Sequence, residues 1–205
     1  MIAVVDYGMG NLRSVSKALE KVGGRVTLTS NPDVVKTADK VVLPGVGAFR
    51  DAMTNLGALG LDVAVVEAIE AGRPFLGICL GQQLLFETSY EDGVYKGLSV
   101  FPGEVLRFEA DPGRPELKIP QIGWNRARFV GDSPLLAGIP SGTFFYFVHS
   151  YYAAPSDESL VAVRTEYLTD FAAAVARDNV FACQFHPEKS QRWGLKLLEN
   201  FVNLT

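Results

Sequence analysis

The chain has 205 residues, of which 48% are hydrophobic, and it carries 23 acidic against 19 basic residues. This length and apolar content suffice for one domain with a sizeable core, so we predict a single domain over residues 1–205. The net charge of −4 and the lack of a basic stretch argue against nucleic acid as a partner.

The first residues and the cysteine count bear on the compartment. Residues 1–6 show neither the basic start nor the long apolar run of a signal peptide, and we expect no membrane-spanning segment. Two cysteines, at positions 79 and 183, are too few for a disulfide framework and favour reduced thiols in the cytoplasm. Neither of the two histidines is spaced from a cysteine as zinc ligands are, so we predict no metal site.

Apolar patterning in the first half alternates between strands and helices. Short apolar runs predict four strands, at residues 2–5, 26–28, 41–43 and 74–78. Apolar residues at helical spacing predict four helices, at residues 12–22, 49–56, 62–71 and 80–87. This alternation predicts an α/β fold of the flavodoxin-like type, with a doubly wound, mostly parallel sheet and helices on both faces.

The pattern changes after residue 97. Short β-rich runs joined by Gly, Pro and Asp turns predict strands at residues 99–101, 104–108, 127–130, 143–148, 160–164, 171–177 and 180–185. We therefore expect an antiparallel layer at the edge of the sheet, built by the C-terminal half. Residues 190–204 have an amphipathic pattern that predicts a closing helix.

The segment Gly77-Ile78-Cys79-Leu80-Gly81 has the spacing of a nucleophile elbow, with sulfur in place of the usual serine oxygen. Small flanking residues are required because a tight strand-to-helix turn brings backbone close to backbone. The turn would present Cys79 at a helix N-terminus, where unpaired N–H groups and the macrodipole favour a thiolate. A buried structural cysteine fits the pattern alone equally well.

A second constellation is His186-Pro187-Glu188, at the end of the last predicted strand. A residue before proline favours an extended conformation, so Glu188 can lie on the same side as His186 and orient its ring. Cys183, at an odd spacing from His186, faces the other side of the strand and is predicted to be core. Together with Cys79 these residues would form a nucleophile, a base and an orienting carboxylate, although a structural histidine–carboxylate pair is the alternative.

No cofactor is predicted. The segment Gly8-Met9-Gly10 begins like a dinucleotide-binding fingerprint, but the third small residue is missing because position 13 is Arg13. A plain turn between a strand and a helix explains it.

Two motifs, 77–83 and 185–190, resemble those of class I (triad-type) glutamine amidotransferases. Three further segments, 6–11, 120–125 and 147–151, narrow the resemblance to the glutaminase subunits of imidazole glycerol phosphate synthases, which serve histidine biosynthesis. The resemblance covers nearly the whole chain. It implies hydrolysis of L-glutamine to glutamate and ammonia through a thioester.

The resemblance also implies roles for individual residues. Cys79 would be the nucleophile, His186 the acid and base, and Glu188 its orienting carboxylate. The oxyanion would be bound by backbone N–H groups of Leu80 and of the turn containing Val46 and Gly47. Glutamine would be held by Gly45, Gln83, Glu91, Ser150 and Tyr151. His149 is expected to be structural, and Gln82 is more polar than the apolar residue expected at that position in the family.

A partner chain follows from the same resemblance, because ammonia released into water would be protonated and wasted. The family's synthase is a separate (β/α)8 barrel that receives ammonia and makes imidazole glycerol phosphate and aminoimidazole carboxamide ribotide. A heterodimer is expected, docked through Met9, Asn11, Trp124, Tyr146 and Lys189. The two aromatic residues could instead belong to the core, and Lys189 could be a solvated surface charge.

Three alternatives stay open at this stage. The chain could be the glutaminase of another amidotransferase, such as pyridoxal phosphate synthase, or a γ-glutamyl hydrolase on the same scaffold. It could also be a flavodoxin-like binding module without catalysis. The Gly123-Trp124-Asn125 segment and the start at 6–11 argue against the first two, and the elbow argues against the third.

Overall fold

The computed structural model describes residues 1–204; the last residue of the predicted domain, 205, lies outside them. The strands are β1 (Ile2–Val5), β2 (Val26–Thr29), β3 (Lys40–Gly45), β4 (Phe75–Cys79), β5 (Phe86–Ser89), β6 (Tyr95–Lys96), β7 (Phe101–Arg107), β8 (Gln121–Phe129), β9 (Thr143–His149), β10 (Tyr151–Pro155), β11 (Val161–Glu166), β12 (Asp170–Arg177) and β13 (Val180–Cys183). The α-helices are α1 (Leu12–Lys21), α2 (Pro32–Thr37), α3 (Phe49–Ala58), α4 (Leu61–Glu70), α5 (Leu80–Gln83) and α6 (Gln191–Asn203).

Nine strands form the main sheet, in the order β2-β1-β3-β4-β13-β12-β11-β8-β9. The strands from β2 to β13 are parallel, and those from β12 to β9 continue the sheet in antiparallel fashion. The α/β, doubly wound fold class with an antiparallel edge in the C-terminal half is therefore confirmed. A separate sheet, β10-β7-β5-β6, was not predicted.

The central strands read as unbroken apolar runs because both faces of the sheet are covered. Neighbouring residues of one strand enter two different hydrophobic clusters: Val5 lies in one and Val4 in the other. The first cluster takes its helical residues from α2 to α5. The second takes them from α1 and α6. Helices thus cover both faces, as the strand and helix alternation predicts.

The helix predicted over 80–87 is wrong in length, because α5 ends at Gln83. The backbone carbonyl of Leu84 accepts from the N–H of Leu98, and that of Leu85 accepts from the N–H of Val100. Phe86 then pairs with Phe101 in the small sheet. Pairing with a distant segment therefore overrides the helical pattern of these apolar residues.

Other boundaries also differ from the sequence predictions. The strands predicted at 99–101 and 104–108 are replaced by the single strand β7, Phe101–Arg107, and β8 begins at Gln121 rather than at 127. Strands β6 and β10 and helix α2 were missed. Helix α2 has a readable start, because the Asn31 side chain caps the N–H of Asp33 and Pro32 occupies the first turn.

Within residues 1–204, no single helix is long and apolar enough to cross a membrane. Only α3 and α4 taken together have the length and composition, and they are bent by 87° to one another.

Candidate active site

Cys79 lies at the junction of β4 and α5 with φ 56° and ψ −110°, a conformation that non-glycine residues rarely adopt. The two glycines around it are required by close packing. A Cβ atom at Gly81 would lie 1.9 Å from the carbonyl oxygen of Leu43, and one at Gly77 would lie 2.8 Å from the carbonyl oxygen of Gly81. The elbow is thus built as the sequence pattern requires, with the sulfur raised above the end of the strand.

His186 and Glu188 form a buried pair. Nδ1 of His186 lies 2.8 Å from Oε1 of Glu188, and the two side chains are only 2% and 1% exposed. Since a carboxylate can only accept, Nδ1–H donates to it and Nε2 points the other way. Within residues 1–204, Nε2 meets no hydrogen-bond partner.

The backbone around His186 is held by hydrogen bonds on both sides. Its N–H donates to the carbonyl oxygen of Tyr146 at 2.9 Å, and its carbonyl oxygen accepts from Oγ of Ser190 at 2.6 Å. Pro187 begins the short 3-10 turn that brings Glu188 back beneath the ring. The imidazole is therefore fixed at the end of the sheet.

Cys79 and His186 line the same cavity, which has a volume of about 540 Å³. Burial alone would lower the pKa of His186, but the Cys79 sulfur and then the Glu188 carboxylate raise it to about 9. The imidazole therefore holds its second proton at neutral pH. This arrangement pairs a nucleophile with a proton donor.

Most of the other predicted site residues line this cavity as well. They are Val46, Gly47, Leu80, Gln83, Glu91, Ser150, Tyr151 and Lys189. Gly45 does not line it: it is buried in β3, where an added Cβ would lie 2.5 Å from the Tyr7 hydroxyl oxygen. No group of three His, Cys, Asp or Glu side chains in the described part of the chain could hold a metal ion.

The turn after β3 is anchored at both ends. The Tyr7 hydroxyl donates to the carbonyl oxygen of Pro44 at 2.9 Å, and the carboxylate of Glu91 accepts from the N–H of Phe49 at 2.7 Å. Burial raises the pKa of Glu91, and that hydrogen bond partly offsets the rise. Between the anchors, Gly47 has φ +99°, a value that leaves this peptide free to adopt orientations closed to other residues.

A chain of buried amides behind the sulfur was missed. Gln83 donates through Nε2 to the carbonyl oxygen of Tyr151 and to Oε1 of Gln184, each at 2.9 Å. Nε2 of Gln184 lies 3.6 Å from Sγ of Cys79. The sequence does offer one indication of this chain, because Gln184 is a polar residue in the otherwise apolar strand predicted at 180–185, two positions before His186.

His149 also faces the cavity but differs from His186. Its Nδ1 lies 2.8 Å from the carbonyl oxygen of Tyr151, and its Nε2 lies 3.1 Å from the side chain of Gln121. Burial lowers the pKa of His149 to about 4, so the ring is neutral at pH 7. It holds the backbone of the 149–151 segment against the cavity.

Beside the cavity lies an exposed apolar surface, which we call the β8–β9 ribbon face. Its residues come in cross-strand pairs, namely Ile122 with Val148, Trp124 with Tyr146, and Arg126 with Phe144. Trp124 is 46% exposed, so it is not a core aromatic. Its ring centroid is 6.1 Å from that of Tyr146, and Nζ of Lys189 is 5.8 Å from the Tyr146 ring.

Of the other two residues predicted to dock a partner, Met9 lies beside the Val46-Gly47 turn. Met9 is half-buried, and its Cε would lie 2.6 Å from a Cβ at Gly47. Asn11 precedes helix α1 and is half-buried. Ile122, Phe144 and Val148 were missed, although the period-2 alternation in 121–129 and 143–149 predicts their shared face.

Residues 3–204 match the family described as glutamine amidotransferase class-I. The chain belongs to this family. A protein named imidazole glycerol phosphate synthase subunit HisH from Nitrosococcus oceani is 56% identical over 203 residues, covering 98% of this chain and 96% of that protein. A protein of the same name from Syntrophotalea carbinolica is 54% identical, and the alignment covers 100% of both chains. Another from Aquifex aeolicus is 55% identical, covering 97% of this chain and 94% of that protein.

Solved structures resemble the fold at lower identity. A glutamine amidotransferase crystal structure superposes with a TM-score of 0.76 at 17% identity, covering all of both chains. A structure named PurLQS from Thermotoga maritima gives 0.73 at 22% identity, covering 98% of this chain and 97% of that one. These likenesses concern the fold alone.

Proposed function

We propose that this amidotransferase is the glutaminase subunit of an imidazole glycerol phosphate synthase. It hydrolyses L-glutamine to glutamate and ammonia and passes the ammonia to a separate cyclase with a (β/α)8 barrel. The observation that carries the proposal is that the strained Cys79 elbow and the buried His186–Glu188 pair line one cavity. Relatives named as subunits of that synthase are 54–56% identical over nearly the full chain, and they support the assignment to this synthase rather than to another amidotransferase.

The first half of the reaction forms a thioester. The Cys79 thiolate attacks the side-chain carbonyl carbon of glutamine, and the displaced electron pair moves to the carbonyl oxygen. The N–H of Leu80, the first residue of α5, has no acceptor within its helix and can bind this oxyanion. A second N–H comes from the Val46-Gly47 turn. One such donor is worth roughly 2.7–4 kcal/mol of barrier.

His186 moves the protons in both halves of the reaction. Its imidazolium Nε2–H is given to the departing nitrogen, which releases ammonia and leaves a γ-glutamyl thioester on Cys79. The neutral ring then takes a proton from water, the water attacks the thioester, and glutamate leaves. Glu188 holds the ring by its Nδ1 throughout, at 2.8 Å.

The remaining cavity residues bind the substrate. Gln83 and the backbone of Ser150 and Tyr151 hold polar groups of glutamine, and Glu91 faces its α-ammonium group. The half-buried carboxylate of Glu91 suits a cation, and its hydrogen bond to Phe49 connects the substrate site to the turn that supplies the oxyanion donor. The β8–β9 ribbon face and Lys189 dock the cyclase beside the cavity. The cytoplasmic location and the single domain over 1–205 stay predictions from the sequence.

The test is ammonia release from glutamine, measured for the full chain alone and with the cyclase loaded with its nucleotide substrate. We expect weak release alone, strong stimulation by the liganded cyclase, and none from Cys79→Ala under either condition. Full activity without a partner would contradict the subunit assignment, and would favour a free γ-glutamyl hydrolase. Activity retained in Cys79→Ala would remove the thioester mechanism.

A further inference from the structure

Gln184 is a fully buried polar residue that none of the steps above uses. Its side-chain amide lies between two other groups. Oε1 is 2.9 Å from Nε2 of Gln83, and Nε2 is 3.6 Å from Sγ of Cys79. The amide therefore touches the atom that attacks the substrate.

The orientation of the Gln184 amide is set, through Gln83, by the backbone carbonyl of Tyr151. The backbone carbonyl of Tyr151 can only accept a hydrogen bond, and it lies 2.9 Å from the Gln83 amide, so the NH₂ group of Gln83 must face it. The second N–H of the same group then donates to Oε1 of Gln184. As a result, the NH₂ group of Gln184 is turned toward the sulfur.

We propose that Gln184 is a positioning residue for the nucleophile, and that its amide donates an N–H···S hydrogen bond that orients the Cys79 sulfur and stabilises the thiolate. The inference rests on the proposed glutaminase function. A hydrogen bond to the charged form of a group favours that form, and in a buried site this preference is strong. The Tyr151–Gln83–Gln184 chain fixes the donor before substrate arrives.

Two features of the elbow make this donor important. Helix α5 has four residues, so its dipole favours the thiolate less than the longer helix predicted from the sequence would. The Gln184 amide also reaches the sulfur in hydrogen-bond geometry, at 3.6 Å. Gln184 therefore supplies a directional contact to the sulfur in addition to the effect of the His186 imidazole.

The experiment is the rate of Cys79 alkylation by iodoacetamide from pH 5 to pH 10, measured on the full chain, with peptide mapping to separate Cys79 from Cys183. The titratable groups coupled to Cys79 include His186, Tyr7 and Cys183, and Glu91, His149, Tyr151 and Lys189 line the same cavity. The Gln184 side chain hydrogen-bonds with none of these groups. In Gln184→Met we expect the midpoint of the alkylation profile to lie about one pH unit higher, so that alkylation is about tenfold slower at pH values below the midpoint. The rates should converge at high pH, and kcat for glutamine should fall more than KM changes.

Two further variants separate positioning from a general structural role. Gln82→Met removes an equally buried amide from the same elbow, but that amide donates to the Ala172 carbonyl oxygen at 3.3 Å and not to the sulfur. Its alkylation midpoint should equal that of the wild type. Gln83→Met removes the group that orients Gln184, and we expect a smaller upward shift, about threefold in rate.

An unchanged midpoint in folded Gln184→Met, or an equal shift in Gln82→Met, would overturn the inference. If Gln184→Met does not fold, Gln83→Met decides, and an unchanged profile in that variant overturns it. Failure of the proposed function looks different. The wild type would then release no ammonia from glutamine with the cyclase present, while the alkylation profiles would still report on the amide.

Discussion

The two histidines of this chain are driven in opposite directions by their surroundings. Burial lowers the pKa of His149 to about 4, and its hydrogen bond to the Tyr151 carbonyl does not reverse this. Burial also lowers the pKa of His186, but the sulfur of Cys79 and the carboxylate of Glu188 outweigh it and raise the value to about 9. At pH 7 His149 is therefore neutral and His186 protonated, which suits a structural and a proton-transfer role respectively.

The opposite pKa shifts of the two histidines predict how their imidazole NMR signals titrate when Cys79 is replaced. In Cys79→Ala the largest cause that raises the pKa of His186 is gone, and burial is opposed by Glu188 alone. We expect the pKa of His186 to fall from about 9 toward or below its ordinary value of about 6.5. NMR titration of the two imidazoles checks this, with His149→Asn used for assignment.

His149 is the internal control in that titration, because its pKa of about 4 arises mainly from burial. Its signal should be nearly unchanged in Cys79→Ala. A pKa of His186 that stays near 9 in this variant would show that the sulfur is not what raises it.

The sequence predicts those site residues whose chemical role only one residue type can fill. Cys79 between two glycines and His186 before Pro187-Glu188 are of this kind, and the structure brings Cys79 and His186 to one cavity. Gln82 and Gln184 were not distinguishable, because both are buried amides in apolar segments. Only the three-dimensional packing turns one toward Ala172 and the other toward the sulfur.

At the scale of elements, the elbow is a contact between β3, β4 and α5 that leaves no room for side chains. The carbonyl oxygen of Leu43 would lie 1.9 Å from a Cβ at Gly81, and it belongs to the backbone and cannot rotate away. The close approach places the first turn of α5, with the Leu80 N–H, next to the carboxyl end of β3. Both of the oxyanion donors that we propose are therefore positioned by one packing contact.

Gly81→Ala is expected to separate these elements. Overpacking of a buried site typically costs about 1–3 kcal/mol, and the short distance here suggests the upper end of that range or beyond. Urea unfolding measures the loss of stability, and ammonia release should fall with it.

Gly57→Ala is the matched control, because Gly57 lies in a helix and its added Cβ would meet only the Asp62 carboxylate, at 3.7 Å. This change should be neutral or stabilising. Equal stability of both variants would contradict the packing argument.

The elements that sequence patterns predicted correctly are those whose apolar periodicity agrees with their tertiary contacts, such as β1, β4 and α6. Those it missed depend on distant partners. Strand β10 exists because Tyr152 pairs with Leu106, and β5 because Phe86 pairs with Phe101. No local pattern reports such pairing, and this is why 80–87 reads as one helix.

At the scale of the whole molecule, the cavity and the β8–β9 ribbon face meet at the same end of the sheet. Val148 and Lys189 line the cavity, while Val148 also lies on the ribbon face and Lys189 contacts Tyr146. Strand β9 is the last of its sheet, so the face it forms with β8 lies at an edge. Ile122 is 63% exposed there, and contiguous exposed apolar surface of this kind marks interaction sites.

The docking proposal predicts a large effect from one aromatic residue. Trp124 is the exposed tryptophan at the centre of the ribbon face, and buried aromatic residues near an interface centre commonly cost about 2 kcal/mol or more when truncated. Trp124→Ala should therefore bind the cyclase about 30-fold more weakly, as measured by isothermal titration calorimetry. Val63→Ala is the control, because Val63 is 53% exposed but lies on α4, outside the ribbon face. If Trp124→Ala binds as tightly as the wild type, the cyclase docks elsewhere, and ammonia would have to leave the cavity by another side.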